Sequence, residues 1–254
     1  MRRSASLFVT CLALLMFLTS GCAGSRPSLN GVIPPTPTAV PDPGAKVATL
    51  DPNAAGVSVV ATATIANINV YDTPDAAKPN RSLKSPNVNG VPLVFLVDAT
   101  QDDWLRVLLP VRPNGSTGWI HASDVKLSRH NYHIEVHLSE FRIKVTRGTD
   151  VILETSIGVA KDNTPTPGGR YYTTELLRPP TPNTVYGTYA YGLSGFSETF
   201  ESFNGGPGQL GIHGTNDPTS IGQKVSSGCV RLRNEDIDKL AAILPLGVPV
   251  EIIK

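Results

Sequence analysis

The stretches 133–138, His-Ile-Glu-Val-His-Leu, and 142–147, Arg-Ile-Lys-Val-Thr-Arg, decide the fold. Ile134, Val136 and Leu138 alternate with His133, Glu135 and His137, and Ile143 and Val145 alternate with Arg142, Lys144 and Thr146. A period of two puts one set of side chains on a buried face and the other in water, the pattern of a half-buried strand. The two strands join near Ser139-Glu140, and Arg147-Gly148-Thr149-Asp150 reads as a hairpin turn into a third, Val151 to Ile157. Near the C-terminus the period changes. Ile237, Leu240, Ala241 and Leu244 form the apolar stripe of a surface helix, with Asn234 as its cap, Glu235 and Asp236 in its first turn and Pro245 ending it. Gly247 then starts a last strand, Val248 to Ile253. Residues 131–254 are therefore expected to form a mostly β domain with one or two short helices.

Upstream, residues 57–127 carry only short strand signals: Val57 to Ala61, Asn67 to Tyr71, Val91 to Val97, Trp104 to Leu109 and Gly118 to Ile120. Asp72-Thr73-Pro74, Asn89-Gly90, Asp102-Asp103 and Pro113-Asn114-Gly115 separate them as turns. Short strands between glycine and proline turns suggest a small barrel. The strings NINVYDTPD, DDWLRVLLP and GWIHASDV, with Trp104, Gly118 and Trp119, resemble the SH3-like domains of bacterial envelope proteins. That resemblance implies either a binder of wall peptides or a spacer built around two core tryptophans.

The N-terminal 56 residues read differently. Arg2 and Arg3 precede an apolar run from Leu7 to Leu18, followed by Thr19-Ser20-Gly21-Cys22. This is the layout of a secretory signal, and the run falls short of the about 20 residues that a membrane span needs. The Leu-Thr-Ser-Gly-Cys string resembles a bacterial lipobox, which implies a signal segment 1–22, lipidation at Cys22 and an extracytoplasmic, membrane-anchored protein facing the cell wall. Ordinary secretion with a cut near Ala23 or Gly24 is the alternative. Removing Arg2 and Arg3 takes the formal charge from +1 to −1. Residues 23–56 hold seven prolines and no aromatic residue, a tether that could extend roughly 100 Å at about 3.1 Å per residue.

Composition narrows the chemistry. With 254 residues, 40% of them hydrophobic, a packed core is assured. No run of like charges exceeds two residues, which argues against a nucleic-acid partner. Of the three cysteines, Cys11 lies in the signal run and Cys22 at its end, so the folded body has one thiol, Cys229. A disulfide within the body is thereby excluded, and so is a zinc site with four cysteine ligands. His133 and His137 share a strand face but lack a third ligand, so a solvated face is the better reading and no metal is expected. Gly205-Gly206-Pro207-Gly208 lacks the lysine and helix start of a phosphate loop, and no organic cofactor is implied.

The densest chemical signal is 209–231, QLGIHGTNDPTSIGQKVSSGCVR. Cys229 follows His213 by 16 residues, with Asn216-Asp217-Pro218 as a turn between them. A fold-back would set the thiol beside an imidazole able to take its proton. By spacing alone, an inert buried cysteine remains an open reading. The strings IHGT and SSGCVRL, together with PTPGGRYYT (165–173) and FESFNGGPG (200–208), resemble the L,D-transpeptidases of the YkuD family over about half of the chain. The resemblance implies that Cys229 is the nucleophile and His213 the base. It also implies that the Gly214 carbonyl orients the imidazole and that the N–H groups of Gly228 and Cys229 form an oxyanion hole. Arg231 would hold the site or a substrate carboxylate. Ser227 stands where the family has a second histidine, so it can supply a hydrogen bond but cannot take the proton. Tyr186, Tyr189 and Tyr191, in an aromatic-rich span, are candidate substrate contacts, or alternatively core of a β-rich insert. The implied substrates are peptidoglycan stem peptides and the implied inhibitors carbapenem-type β-lactams. Hydrolysis as an L,D-carboxypeptidase, or a non-catalytic wall-binding lipoprotein, are the alternatives.

Overall fold

The computed structural model describes residues 56–203 and 205–254. The expected signal segment, Cys22 and residues 23–55 of the expected tether lie outside the described residues. A five-stranded antiparallel sheet comes first, in the order β6-β5-β4-β1-β7. Its strands are β1 (Ser58–Ala63), β4 (Val94–Gln101), β5 (Trp104–Leu108), β6 (Thr117–His121) and β7 (Val125–His130). A hairpin of β2 (Asn67–Val70) and β3 (Arg81–Lys84) packs against it. Val59, Ile68, Phe95, Val107 and Ile120 fill this core. The two tryptophans do not: both are half-buried. Trp104 lies over His121 with ring centroids 3.8 Å apart and meets Tyr71 edge-on.

The second sheet has eight strands in the order β10-β9-β8-β17-β12-β13-β14-β16. These are β8 (Tyr132–His137), β9 (Arg142–Arg147), β10 (Asp150–Ser156), β12 (Gly169–Leu177), β13 (Ala190–Phe196), β14 (Gln209–His213), β16 (Val230–Arg231) and β17 (Pro249–Ile253). A short parallel pair, β11 (Val159–Ala160) and β15 (Lys224–Ser226), sits beside it. The 133–147 alternation appears as β8 paired with β9, with Ile134, Val136, Ile143 and Val145 buried. His133 and His137 face water near Glu251 and Glu135 at 3.9 and 3.5 Å. Among the described residues no group of side chains could hold a metal ion, and no helix is long and apolar enough to cross a membrane.

Among the described residues there is one α-helix, α1 (Asn234–Ile243), and two 3-10 turns, Ala122–Asp124 and Pro218–Ser220. Ile237, Leu240 and Leu244 bury its apolar stripe in the same core as the sheet. The expected cap is displaced by one residue. Arg233 occupies the N-cap without a side-chain bond, and Asn234 is the first helical residue. Its amide oxygen accepts instead from the backbone N–H groups of Thr215 and Thr188, at 3.1 and 3.3 Å.

The two sheets meet in a small apolar cluster in which Tyr172 of β12 sits among Val60, Val94, Leu96 and Leu108. Tyr172 is fully buried, and its hydroxyl donates to the Leu108 carbonyl at 3.2 Å. Arg112 and Asn114, on the loop before β6, reach across as well. The Arg112 guanidinium donates to the carbonyls of Ser197, Phe200 and Pro207 at 2.7–3.0 Å. Asn114 exchanges two hydrogen bonds with the Phe196 backbone, both 2.8 Å. Truncating Tyr172 to alanine should cost about 3 kcal/mol, as for other large buried rings, and Tyr172→Phe about 1 kcal/mol for the hydroxyl bond. Urea unfolding of the two variants checks the ordering.

Candidate active site

Four strands of the large sheet carry the site in two adjacent rows. Across β12, β13 and β14, Glu175 faces Gly192 and Gly192 faces Gly211. Cys229, just before β16, continues that row: its Sγ lies 3.8 Å from where a Cβ on Gly211 would be. The next row on the same face is Leu177, Ala190, His213 and Arg231. Intervening residues point the other way, so Leu176, Tyr191, Ile212 and Val230 are core. Period two thus makes one set of strands both the wall of the core and the floor of a cleft. The cleft encloses about 880 Å³, and all eight residues of the two rows line it.

His213 is buried, and its Nδ1 lies 2.6 Å from the Gly214 carbonyl oxygen. A carbonyl can only accept, so in the neutral ring Nδ1 carries the proton and Nε2 keeps its lone pair. The Gly214 segment is itself held by α1. The Asn234 amide oxygen sits so close that a Cβ on Gly214 or Gly187 would collide with it, which explains glycine at both positions. Tyr186 meets the imidazole edge-on, with centroids 5.1 Å apart.

Electrostatics leave this pair uncharged at rest. Burial pushes His213 down to about 4; the Gly214 bond opposes this and the Arg231 charge adds to it. Burial pushes the Cys229 thiol up, opposed by a hydrogen bond to the Gly211 backbone and by Arg231. Arg231 is partly buried, its Nε unpartnered among the described residues. One cation therefore disfavours imidazolium and favours thiolate.

The turn before the thiol is tightly tied. Gly228 has φ of +128°, its N–H donates to the Ser226 hydroxyl oxygen at 3.3 Å, and its carbonyl accepts from Thr166 at 2.8 Å. The Ser226 hydroxyl donates in turn to the Cys229 carbonyl at 2.5 Å. Ser227 lines the cleft. The three tyrosines separate. Tyr186 lines the cleft, whereas Tyr189 packs against the core with the Arg178 guanidinium 5.7 Å from its ring. Tyr191 borders the cleft too, but its ring is buried and its hydroxyl donates to the carbonyls of Leu240 and Leu244, so of the two expectations the core one describes its side chain. Its place in β13 directs it to the core face. Glu175 escaped the sequence reading because it stands far from the His213–Cys229 stretch, while Asn234 was read only as a helix cap and Thr166 only as part of the 165–173 string. Only the alternation of Glu175 with Leu176 hinted at a cleft-facing acid.

Residues 131–252 match the YkuD family model, the L,D-transpeptidase catalytic domain. Among curated proteins, YkuD of Bacillus subtilis is 36% identical over 121 residues, which cover 48% of this chain and 65% of the relative. YbiS of Escherichia coli is 57% identical over 42 residues, covering 16% of this chain and 14% of the relative. The chain thus spans just under two thirds of the Bacillus relative and a small part of the Escherichia one. The solved catalytic domain of the Enterococcus faecium L,D-transpeptidase is 24% identical, covers 49% of this chain and 98% of that one, and has a TM-score of 0.36.

A neutral resting pair has a measurable signature. The His213 ring should titrate with a midpoint near 4 by NMR, well below an ordinary histidine. Alkylation of Cys229 by iodoacetamide should keep accelerating above the usual thiol range near pH 8.5. An alkylation rate that is flat down to pH 5 would instead indicate a preformed thiolate–imidazolium pair.

Proposed function

We propose, taking residues 131–252 as a YkuD-family L,D-transpeptidase catalytic domain, that the protein transfers acyl groups on peptidoglycan. The observation that carries this reading is His213, held through Nδ1 on the Gly214 carbonyl in the same cleft as Cys229 and one strand away from it. As substrate displaces water, Nε2 of His213 takes the thiol proton, and the thiolate attacks the carbonyl of the third residue of a tetrapeptide stem. The tetrahedral oxyanion is stabilised at the Gly228–Cys229 turn, where the Gly228 N–H exchanges its long bond to Ser226 for a shorter one to the oxyanion. Collapse gives a thioester, and the imidazolium returns its proton to the departing D-alanine amine. An amine of a second stem then attacks the thioester with His213 again as base, which regenerates the thiol and leaves a crosslink.

A resting His213 low in basicity beside a thiol high in pKa makes the first proton transfer uphill. The substrate-bound state has to supply the difference, so the nucleophile forms only when a stem is in place. This limits idle oxidation of a lone thiol outside the cytoplasm. Arg231 stabilises the thiolate and meets a stem carboxylate, while Ser227 and Tyr186 line the approach.

The small domain is read as SH3-like and the N-terminus as a lipoprotein signal, with Cys22 lipidated and residues 23–56 tethering the enzyme toward the wall. Incubation with disaccharide-tetrapeptide followed by mass spectrometry should give crosslinked dimers and free D-alanine. Tripeptide alone would indicate hydrolysis, and carbapenem should add to the wild-type protein only. Cys229→Ala should abolish turnover, and persistence of turnover would remove the assignment of the nucleophile. Palmitate labelling should mark the wild-type chain, whereas Cys22→Ser should lose both the label and membrane fractionation.

A further inference from the structure

The row that ends at Cys229 begins at a buried carboxylate. Glu175 is 3% exposed, yet it lines the cleft and is the one acidic side chain to do so among the described residues. Its Oε2 accepts from the side-chain amides of Asn87 and Asn89, at 2.8 and 2.9 Å. Both asparagines belong to the small domain, on the loop before β4. None of the ion pairs among the described residues involves Glu175. A carboxylate taken out of water beside neutral amides is under-compensated, and a cation is the partner that repairs this.

The floor between the two ends of the row is glycine, with the Gln209 amide at its side. Glu175 lies down over Gly192, its Oε1 2.8 Å from where a Cβ on that residue would sit. Gly211 then separates Gly192 from Cys229. With strands about 4.8 Å apart, Gly192 and Gly211 span a path of roughly 5 Å to which neither contributes a side chain; the Gln209 amide borders it, its Nε2 2.9 Å from where a Cβ on Gly192 would sit and donating to Thr174 and the Leu193 carbonyl. A four-carbon amine side chain bridges such a distance while its residue's carbonyl stays at the thiol.

We infer that Glu175, positioned by Asn87 and Asn89, is a specificity-determining site for the ammonium group of a substrate diamino residue. This rests on the acyl-transfer reading for the substrate but not for the binding. The small domain thereby completes the cleft, because it supplies the groups that fix the carboxylate. The ammonium can come from the acyl donor, whose reacting carbonyl sits at Cys229, or from the incoming acceptor stem.

Binding is measured on full-length Cys229→Ala protein by calorimetry, with a lysine-containing tetrapeptide whose side-chain amine is free or acetylated. The free amine should bind about tenfold tighter, the scale of one charge-assisted hydrogen bond. Adding Glu175→Gln, which keeps the shape and the bonds to the asparagines, should remove the preference. Equal binding of the two peptides by the Cys229→Ala protein overturns the site without recourse to a second variant. So does a preference that survives Glu175→Gln. Turnover identifies the source. If acetylating the donor raises the KM for D-alanine release in wild type but not in Glu175→Gln, the donor's ammonium occupies the site. If donor acetylation is neutral and Glu175→Gln raises the KM of the acceptor, the acceptor's does. An ammonium preference in a protein that releases no D-alanine would remove the transfer reaction alone, and turnover without the preference would remove the site alone.

Discussion

Everything at the site depends on side-chain alternation across residues 175–177 of β12, 190–192 of β13 and 211–213 of β14. Leu176, Tyr191 and Ile212 have to face the core, because burying such side chains is what holds the sheet to α1. Their neighbours are therefore committed to the opposite face, and that face is the cleft. A slip of one residue in any of these strands would expose the core set and bury Glu175 and His213 in apolar surroundings. Packing energy thus fixes the register of the chemistry.

The second constraint is dryness. Arg231 stands opposite His213 in the β14–β16 pair and its charge acts on both His213 and Cys229. Its charge favours the thiolate and disfavours the imidazolium, so proton transfer from Cys229 to His213 is partly cancelled at its source. Ordering His213 through the Gly214 carbonyl, and Gly214 through Asn234, keeps Nε2 aimed while the ring stays neutral. The helix contributes its first residue to that chain of hydrogen bonds rather than a cap.

Much of this was legible in the amino-acid sequence, for definite reasons. The 133–147 strands alternate cleanly because one face is solvated, and the α1 stripe is a regular one. The His213 to Cys229 stretch advertises itself through its glycines and its lone thiol. By contrast β3, Arg-Ser-Leu-Lys, has only Leu83 to signal a strand and forms because β2 offers it an edge. β13 carries two glycines and a serine among its seven residues and gave no strand signal, yet one of them, Gly192, helps leave the floor of the cleft open. Tyr191 was left between cleft and core because aromatic density says nothing about which face a ring takes. Glu175 drew no attention because the groups it meets lie 86 and 88 residues away.

The grip of Arg112 on the 197–208 segment has an evolutionary meaning. Three carbonyls and the face of Phe196 converge on one guanidinium from the other sheet. Domains joined by a tether can be shuffled freely, since neither holds a dependency on its neighbour. Here the segment that walls the cleft uses its partner as a splint, and the fully enclosed Tyr172 is shared property of both. A recombination that kept the large sheet and exchanged the small one would inherit an unsupported wall.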